Sequence, residues 1–205
     1  TPQLLGIDLP TGAVLRRLDL SIPPGVIWNV EMDEAQGQLV AASLVGRGSQ
    51  ALTRLVSIST ESGAILVICE LTSPVVFGVS AFDRYSRSYF FVEATTMQPR
   101  MFSMLSGVLS EPFESEPPTL GTATAWNFSH RAVLAMGFEA TSGLLFALSS
   151  EWPGTDDSTV FLTSYDPSAN RLVSSFPTVL RNIPIFYFDS KILNLAVQNK
   201  IKKYL

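Results

Sequence analysis

The chain has one cysteine and one histidine among its 205 residues, and only 16% of its side chains are charged. A single cysteine rules out an intrachain disulfide. Cys69 lies in the apolar run Ala64-Ile65-Leu66-Val67-Ile68-Cys69 with no Lys, Arg or His beside it to stabilise a thiolate, so it reads as a buried thiol. The 14 basic and 18 acidic residues give a net charge of −4, and no basic stripe extends beyond Lys200, Lys202 and Lys203. Nucleic acid is therefore a poor partner. No apolar run approaches the ~18 to 20 residues that span a bilayer, so no membrane span is expected. A Gly-x-Ser-x-Gly elbow is absent, as is any loop in which several carboxylates or imidazoles converge, so neither a catalytic residue nor a metal or cofactor is expected.

What is abundant is apolar residues in short runs. They make up 46% of the chain, with a mean hydropathy of +0.27, in runs of about four to eight broken by Ser, Thr, Gly, Pro or charge. A chain of this size can bury roughly 70% of its unfolded surface, which excludes disorder. It begins at Thr1, which fits signal cleavage, trimming, or a domain cut from something larger. The compartment stays open, with an extracellular one favoured. The sequon Asn127-Phe128-Ser129 would matter only in a secretory compartment.

Two elements recur and alternate. The first is an apolar residue and a carboxylate, a short polar turn, and a second apolar run: Met32-Asp33-Glu34-Ala35-Gln36-Gly37, Phe82-Asp83-Arg84-Tyr85-Ser86-Arg87, Phe138-Glu139-Ala140-Thr141-Ser142-Gly143, and a shortened Phe188-Asp189-Ser190-Lys191. The carboxylates at 33, 83, 139 and 189 are spaced by 50, 56 and 50 residues. The second element reads Ile7-Asp8-Leu9-Pro10-Thr11-Gly12, Ile58-Ser59-Thr60-Glu61-Ser62-Gly63, a contracted Ser103-Met104-Leu105-Ser106-Gly107, and Tyr165-Asp166-Pro167-Ser168-Ala169-Asn170. Both have the chemistry of β-hairpins: β-branched and aromatic runs flank turns of Asp, Ser, Pro and Gly, with Gly or Asn where φ must be positive.

Two hairpins per unit make a four-stranded antiparallel sheet, and such a sheet cannot bury both faces without neighbours. The expected fold is all-β: one four-bladed β-propeller over residues 1–205, with blades near 26–72, 75–115, 131–177, and 184–205 plus 3–20. Closure follows from the period. Counting from Asp189 through Leu205 and on to Asp33 gives 49 residues, and from Tyr165 around to Ile7 gives 47. The final blade is thus expected to join strands from both termini, which removes open edges. A reading of the four units as part of a larger ring is less consistent with this closing period. The hairpin Ile7-Asp8-Leu9-Pro10-Thr11-Gly12 resembles those of WD-repeat-like and quinoprotein-like propellers, though the Trp-Asp and Gly-His dipeptides are missing. The stretch from Phe82-Asp83 to Tyr89-Phe90-Phe91 faintly resembles the hemopexin-like four-bladed propeller, a fold that the resemblance ties to binding rather than catalysis.

Hairpin turns lie at one end of such sheets and the remaining loops at the other. The turns are short and alike, and their carboxylates are expected to accept backbone N–H bonds rather than hold a metal. The other loops vary: 45–50 carries Arg47, 95–100 carries Arg100, 149–158 carries Trp152 and the pair Asp156-Asp157, and 115–131 carries Trp126 and His130. Specificity on a rigid scaffold usually sits in such loops, so Arg47, Arg100, Trp126, His130 and Trp152 are the candidate partner-binding residues. His130 has no partner constellation that would make it catalytic. The expectation is a non-enzymatic binding or assembly module for a protein or glycan. The outer strands near 14–20 and 172–176 are candidates for contact with a second subunit. The alternative is a propeller hydrolase or lactonase with a metal at the axial mouth, where the starts of the inner strands carry almost no carboxylates.

Overall fold

A computed structural model describes residues 3–20, 25–46, 52–113, 131–151 and 159–181. These contain thirteen strands and no helix. The chain divides into two compact units, Thr1–Pro74 and Val75–Leu205.

In the first unit, β1 (Gln3–Ile7) and β2 (Val14–Asp19) form a two-stranded antiparallel sheet. The strands β3 (Gly25–Asp33), β4 (Gln38–Val45), β5 (Leu52–Ser59) and β6 (Ile65–Leu71) form a four-stranded one, in chain order. Burial falls across this sheet. The middle of β4 is fully buried, whereas β6 exposes Leu66 and Val67 because the outermost strand has a neighbour on one side only. Cys69 on β6 is for that reason half-buried rather than enclosed. Leu4 and Leu20, from the two-stranded sheet and its end, pack onto Ala41, Val56 and Ile58 of the larger one.

The second unit holds β7 (Val75–Asp83), β8 (Ser88–Glu93) and β9 (Pro99–Ser103), then β10 (Arg131–Glu139), β11 (Leu144–Glu151), β12 (Thr159–Asp166) and β13 (Arg171–Arg181). The first three form one sheet, extended by a single bridge between Phe102 and Leu109 where a fourth strand would lie. The other four form a complete sheet in chain order. The two sheets share one core: Val79, Ala81, Phe90, Val92 and Phe113 meet Val133, Met136, Leu145, Ala147 and Tyr165. Phe113 bridges them, with ring centroids 6.3 Å from Phe90 and 6.1 Å from Tyr165. All six residues of β8 are buried, which is why Ser88-Tyr89-Phe90-Phe91-Val92-Glu93 does not alternate apolar with polar.

The first strand of each larger sheet is bulged: the register shifts between Trp28 and Glu31 in β3, between Val75 and Ser80 in β7, and between Val133 and Ala135 in β10. Such bulges increase twist and pin the register. The fourth carboxylate turn at Asp189, the inner strands expected near 185–198, and therefore the expected closure lie outside the described residues.

Candidate functional site

One turn recurs throughout the described sheets. The N–H of the fifth residue donates to the carbonyl of the first: Gly12 to Asp8 (2.7 Å), Gly63 to Ser59 (2.9 Å), Gly107 to Ser103 (2.9 Å), Gly143 to Glu139 (3.0 Å) and Met97 to Glu93 (2.8 Å). The fifth residue has positive φ in every case, from 55° to 73°. The first residue's side chain then accepts from inside the turn. Ser59 Oγ takes the N–H groups of Glu61 and Ser62 at 3.2 and 3.1 Å. Glu139 takes those of Thr141 and Ser142 at 2.9 and 2.7 Å. Donation from Ser142 and Thr141 holds the Glu139 carboxyl at about 2, well below the ordinary 4.5.

The turns at Asp83 and Asp166 use the same chemistry. Asp83 accepts from the N–H groups of Tyr85 (2.9 Å) and Ser86 (3.2 Å) and from the Ser86 hydroxyl. Asp166 accepts from Ser168 N–H (3.0 Å), Ser168 Oγ (2.6 Å) and Ala169 N–H (3.2 Å). The Ser168 hydroxyl is the main cause that lowers its pKa below the usual carboxylate range. Adjacent turns also interlock: Thr60 N–H donates to Gly37 carbonyl at 3.0 Å, and Met104 N–H to Arg87 carbonyl at 2.9 Å. Of the four recurrent carboxylates, Asp83 and Glu139 thus satisfy turn donors, Asp33 is fully buried at the end of β3, and Asp189 lies outside the described residues; Asp166, of the second element, caps its turn in the same way.

Of the candidate loop residues, Arg47, Trp126, His130 and Trp152 lie outside the described residues, as do Asp156 and Asp157. Arg100 is described, and it sits on β9 rather than on a loop. Residues 93–98 close a tight hairpin in which Met97, with φ of 55°, stands where the other copies have Gly. The Arg100 guanidinium faces inward: Nη1 binds Glu93 Oε1 at 3.1 Å, while Nε and Nη2 bind the Ser110 carbonyl at 2.9 and 2.6 Å. The pair's side chains are only 14% and 10% exposed. Arg100 therefore clamps the hairpin to the chain segment behind it. What the loop reading missed are the serines of the opposite end, Ser86, Ser142 and Ser168, each two or three residues after its carboxylate. That spacing was visible in the sequence.

Among the described residues no group of three or more His, Cys, Asp or Glu could hold a metal ion, and no helix is long and apolar enough to cross a membrane. No protein-family model matches the chain, and no curated protein matches it significantly. Solved structures do. An oligogalacturonate lyase in complex with manganese superposes at a TM-score of 0.58 with 14% identity, over 86% of this chain and 48% of that one. A chain of the nidogen/laminin complex gives 0.55 and 11%, over 87% and 57%, and the β-propeller domain of Myceliophteria thermophila Cps50 (Swd1) gives 0.54 and 15%, over 88% and 52%. All three are propeller proteins. The fold is that of a β-propeller. The propeller chain spans about half the length of these structures, and at such identities the likeness is one of fold.

Proposed function

We propose that the chain is a non-enzymatic binding or assembly module, a single propeller over residues 1–205 whose variable loops hold a protein or glycan partner. The observation that carries this reading is where the polar side chains go. The carboxylates at 83, 139 and 166 cap their own turns, and Glu93 and Arg100 neutralise each other inside a hairpin. The recurrent acids serve the scaffold, which leaves recognition to the loops carrying Arg47, Trp126, His130 and Trp152, with Arg100 holding its corner in place. Aromatic and arginine side chains are the usual anchors of such surfaces. The nidogen/laminin neighbour has its fold in a protein complex, which agrees with this reading.

In the same proposal the ring has four blades, and its last blade pairs the β1–β2 hairpin with strands from residues 184–205. Leu9 and Leu15 on that hairpin are 92% and 72% exposed, which favours a covering surface, from the chain's own end or from a second subunit. The test is affinity capture with Trp126→Ala and Trp152→Ala variants. Loss of the partner captured by the unsubstituted chain supports the loop assignment, and full retention removes it. The rival reading, a hydrolase or lactonase with an axial metal, draws on the manganese-bound lyase among the neighbours. Elemental analysis finding one divalent ion per chain would favour it.

A further inference from the structure

The turn end of the second unit carries a cavity of about 460 Å³. Three hairpins frame it: the β7–β8 turn gives Asp83 and Ser86, the β10–β11 turn Ser142 and Gly143, and the β12–β13 turn Asp166 and Ser168. Its floor is apolar, built from Phe138, Met101 and Leu144 over the buried Phe90. Phe138 stacks on the buried Phe90 ring, planes 10° apart and centroids at 5.7 Å, so the core backs the Phe138 ring from behind. The volume suits a small organic molecule, and an apolar floor with a few convergent polar groups is the usual make-up of such sites.

The rim has a chemical bias that its residue names hide. A serine hydroxyl carries one hydrogen and two lone pairs. Ser86 donates its hydrogen to Asp83, Ser168 to Asp166 at 2.6 Å, and Ser142 to Glu139. The turn N–H groups of Tyr85, Ser86, Ser168 and Ala169 are spent on the same carboxylates. What remains for a guest is mostly acceptor capacity, carboxylate oxygens and hydroxyl lone pairs, beside the Ser88 hydroxyl 2.9 Å from Ser86 Oγ. None of the lining residues is basic. Arg84 turns onto the Tyr85 ring at 5.0 Å, and Arg171 meets Asp166 Oδ2 only at 3.9 Å with 71% of its side chain exposed. An anion would find at most the Ser88 hydroxyl as a donor here. A sugar, which needs donors for its own oxygens, would be half satisfied.

We infer that this cavity binds a compact organic cation: an ammonium or guanidinium head among the three turns, with a short apolar body on Phe138, Met101 and Leu144. The inference does not rest on the loop-face reading, since none of the loop candidates lines this cavity. The cation could be a free amine or the side chain of a lysine on another protein, and the chemistry that recognises the two is shared.

The experiment titrates the full chain by calorimetry with three probes of equal body and different head: phenethylamine, 2-phenylethanol and 3-phenylpropanoate. The amine is expected to bind one-to-one, the alcohol roughly tenfold or more weakly, as the loss of one charge-assisted hydrogen bond implies, and the carboxylate not at all. Raising NaCl from about 0.05 to about 0.5 M should weaken the amine on the unsubstituted protein, since exposed charges are screened. Asp83→Asn and Asp166→Asn keep an acceptor for the turn N–H groups, and each should weaken the amine about tenfold while near-UV circular dichroism is unchanged. N-acetyl-lysine methylamide in parallel separates the sources: tighter binding than phenethylamine assigns the cation to a protein, weaker binding to a free amine. Equal affinity for amine and alcohol, binding of the carboxylate, or no saturable amine binding overturns the inference.

Discussion

Gly63 offers a sharp test of how the β1–β2 hairpin is seated. Its φ is +73°, and an added Cβ would stand 3.1 Å from the Asp19 carbonyl oxygen, 3.4 Å from Leu18 Cβ and 3.5 Å from Leu20 Cδ2. Gly143 has nearly the same backbone, at φ +69°, in the same kind of turn, but an added Cβ there meets nothing within 4 Å. Both alanine variants incur the left-handed penalty of ~1 to 2 kcal/mol, offset by ~0.4 to 1 kcal/mol from a less flexible unfolded chain. Gly143→Ala should therefore cost about 1 kcal/mol. Gly63→Ala must also push a backbone carbonyl away, and strain of that kind adds ~1 to 3 kcal/mol. The difference between the two variants isolates the contact, because the backbone penalty is common to both. Equilibrium urea unfolding followed by tryptophan fluorescence measures it, with unchanged m-values as the check on a shared unfolded state. In a chain of this size the Gly143→Ala midpoint should fall by roughly 2 to 4 °C on heating, and that of Gly63→Ala by at least twice as much. Equal losses would refute the seating of β2 against the β5–β6 turn, and no loss in either would refute the turn geometry itself.

Two further outcomes follow from the polar groups. The Glu139 carboxyl is held at about 2 against an ordinary 4.5, so its contribution is complete above pH 4.5 and is lost as pH falls toward 2. Glu139→Gln should flatten that part of the acid-unfolding profile, by on the order of 1 kcal/mol once solvent screening of an exposed carboxylate is allowed for. Glu93→Gln and Arg100→Met each strand a largely buried charge, and each should cost about 3 kcal/mol. The double variant should lose at least about 1 kcal/mol less than the sum of the two, and strict additivity would show that the pair is not coupled.

The hairpins were legible because their causes are local. A carboxylate or serine that accepts N–H groups two and three residues on is a statement about a few consecutive residues, and Asp83, Glu139 and Asp166 do so in turns closed at positive φ by Arg87, Gly143 and Asn170. Asn170 takes φ +49° where a turn needed it. The turn after Glu93 is hidden in the sequence because its left-handed position carries Met97 instead of Gly; beyond its backbone bonds it is held by the Thr96 hydroxyl, 3.1 Å from Glu93 Oε2, and by the tertiary clamp of Arg100. The bulges in β3 and β7 contain Asn29 and Gly78, both at positive φ, breaks in the strand pattern that mark a bulge, whereas the one in β10 falls in a uniformly apolar run and leaves no such break. The cavity at the turn end could not be read at all from one turn, because its walls come from three.

Every strand pairing among the described residues joins strands that are consecutive in the chain: β1 to β2, β3 through β6, β7 through β9, and β10 through β13. Few β proteins can form their ladders so locally. Loop closure rather than diffusion of distant segments then limits the search, and each hairpin can zip from its own capped turn before any sheet stacks on another. Folding should accordingly be quick for an all-β chain of this length, and the late, slow event should be the meeting of sheets through residues such as Phe113 rather than the pairing of strands.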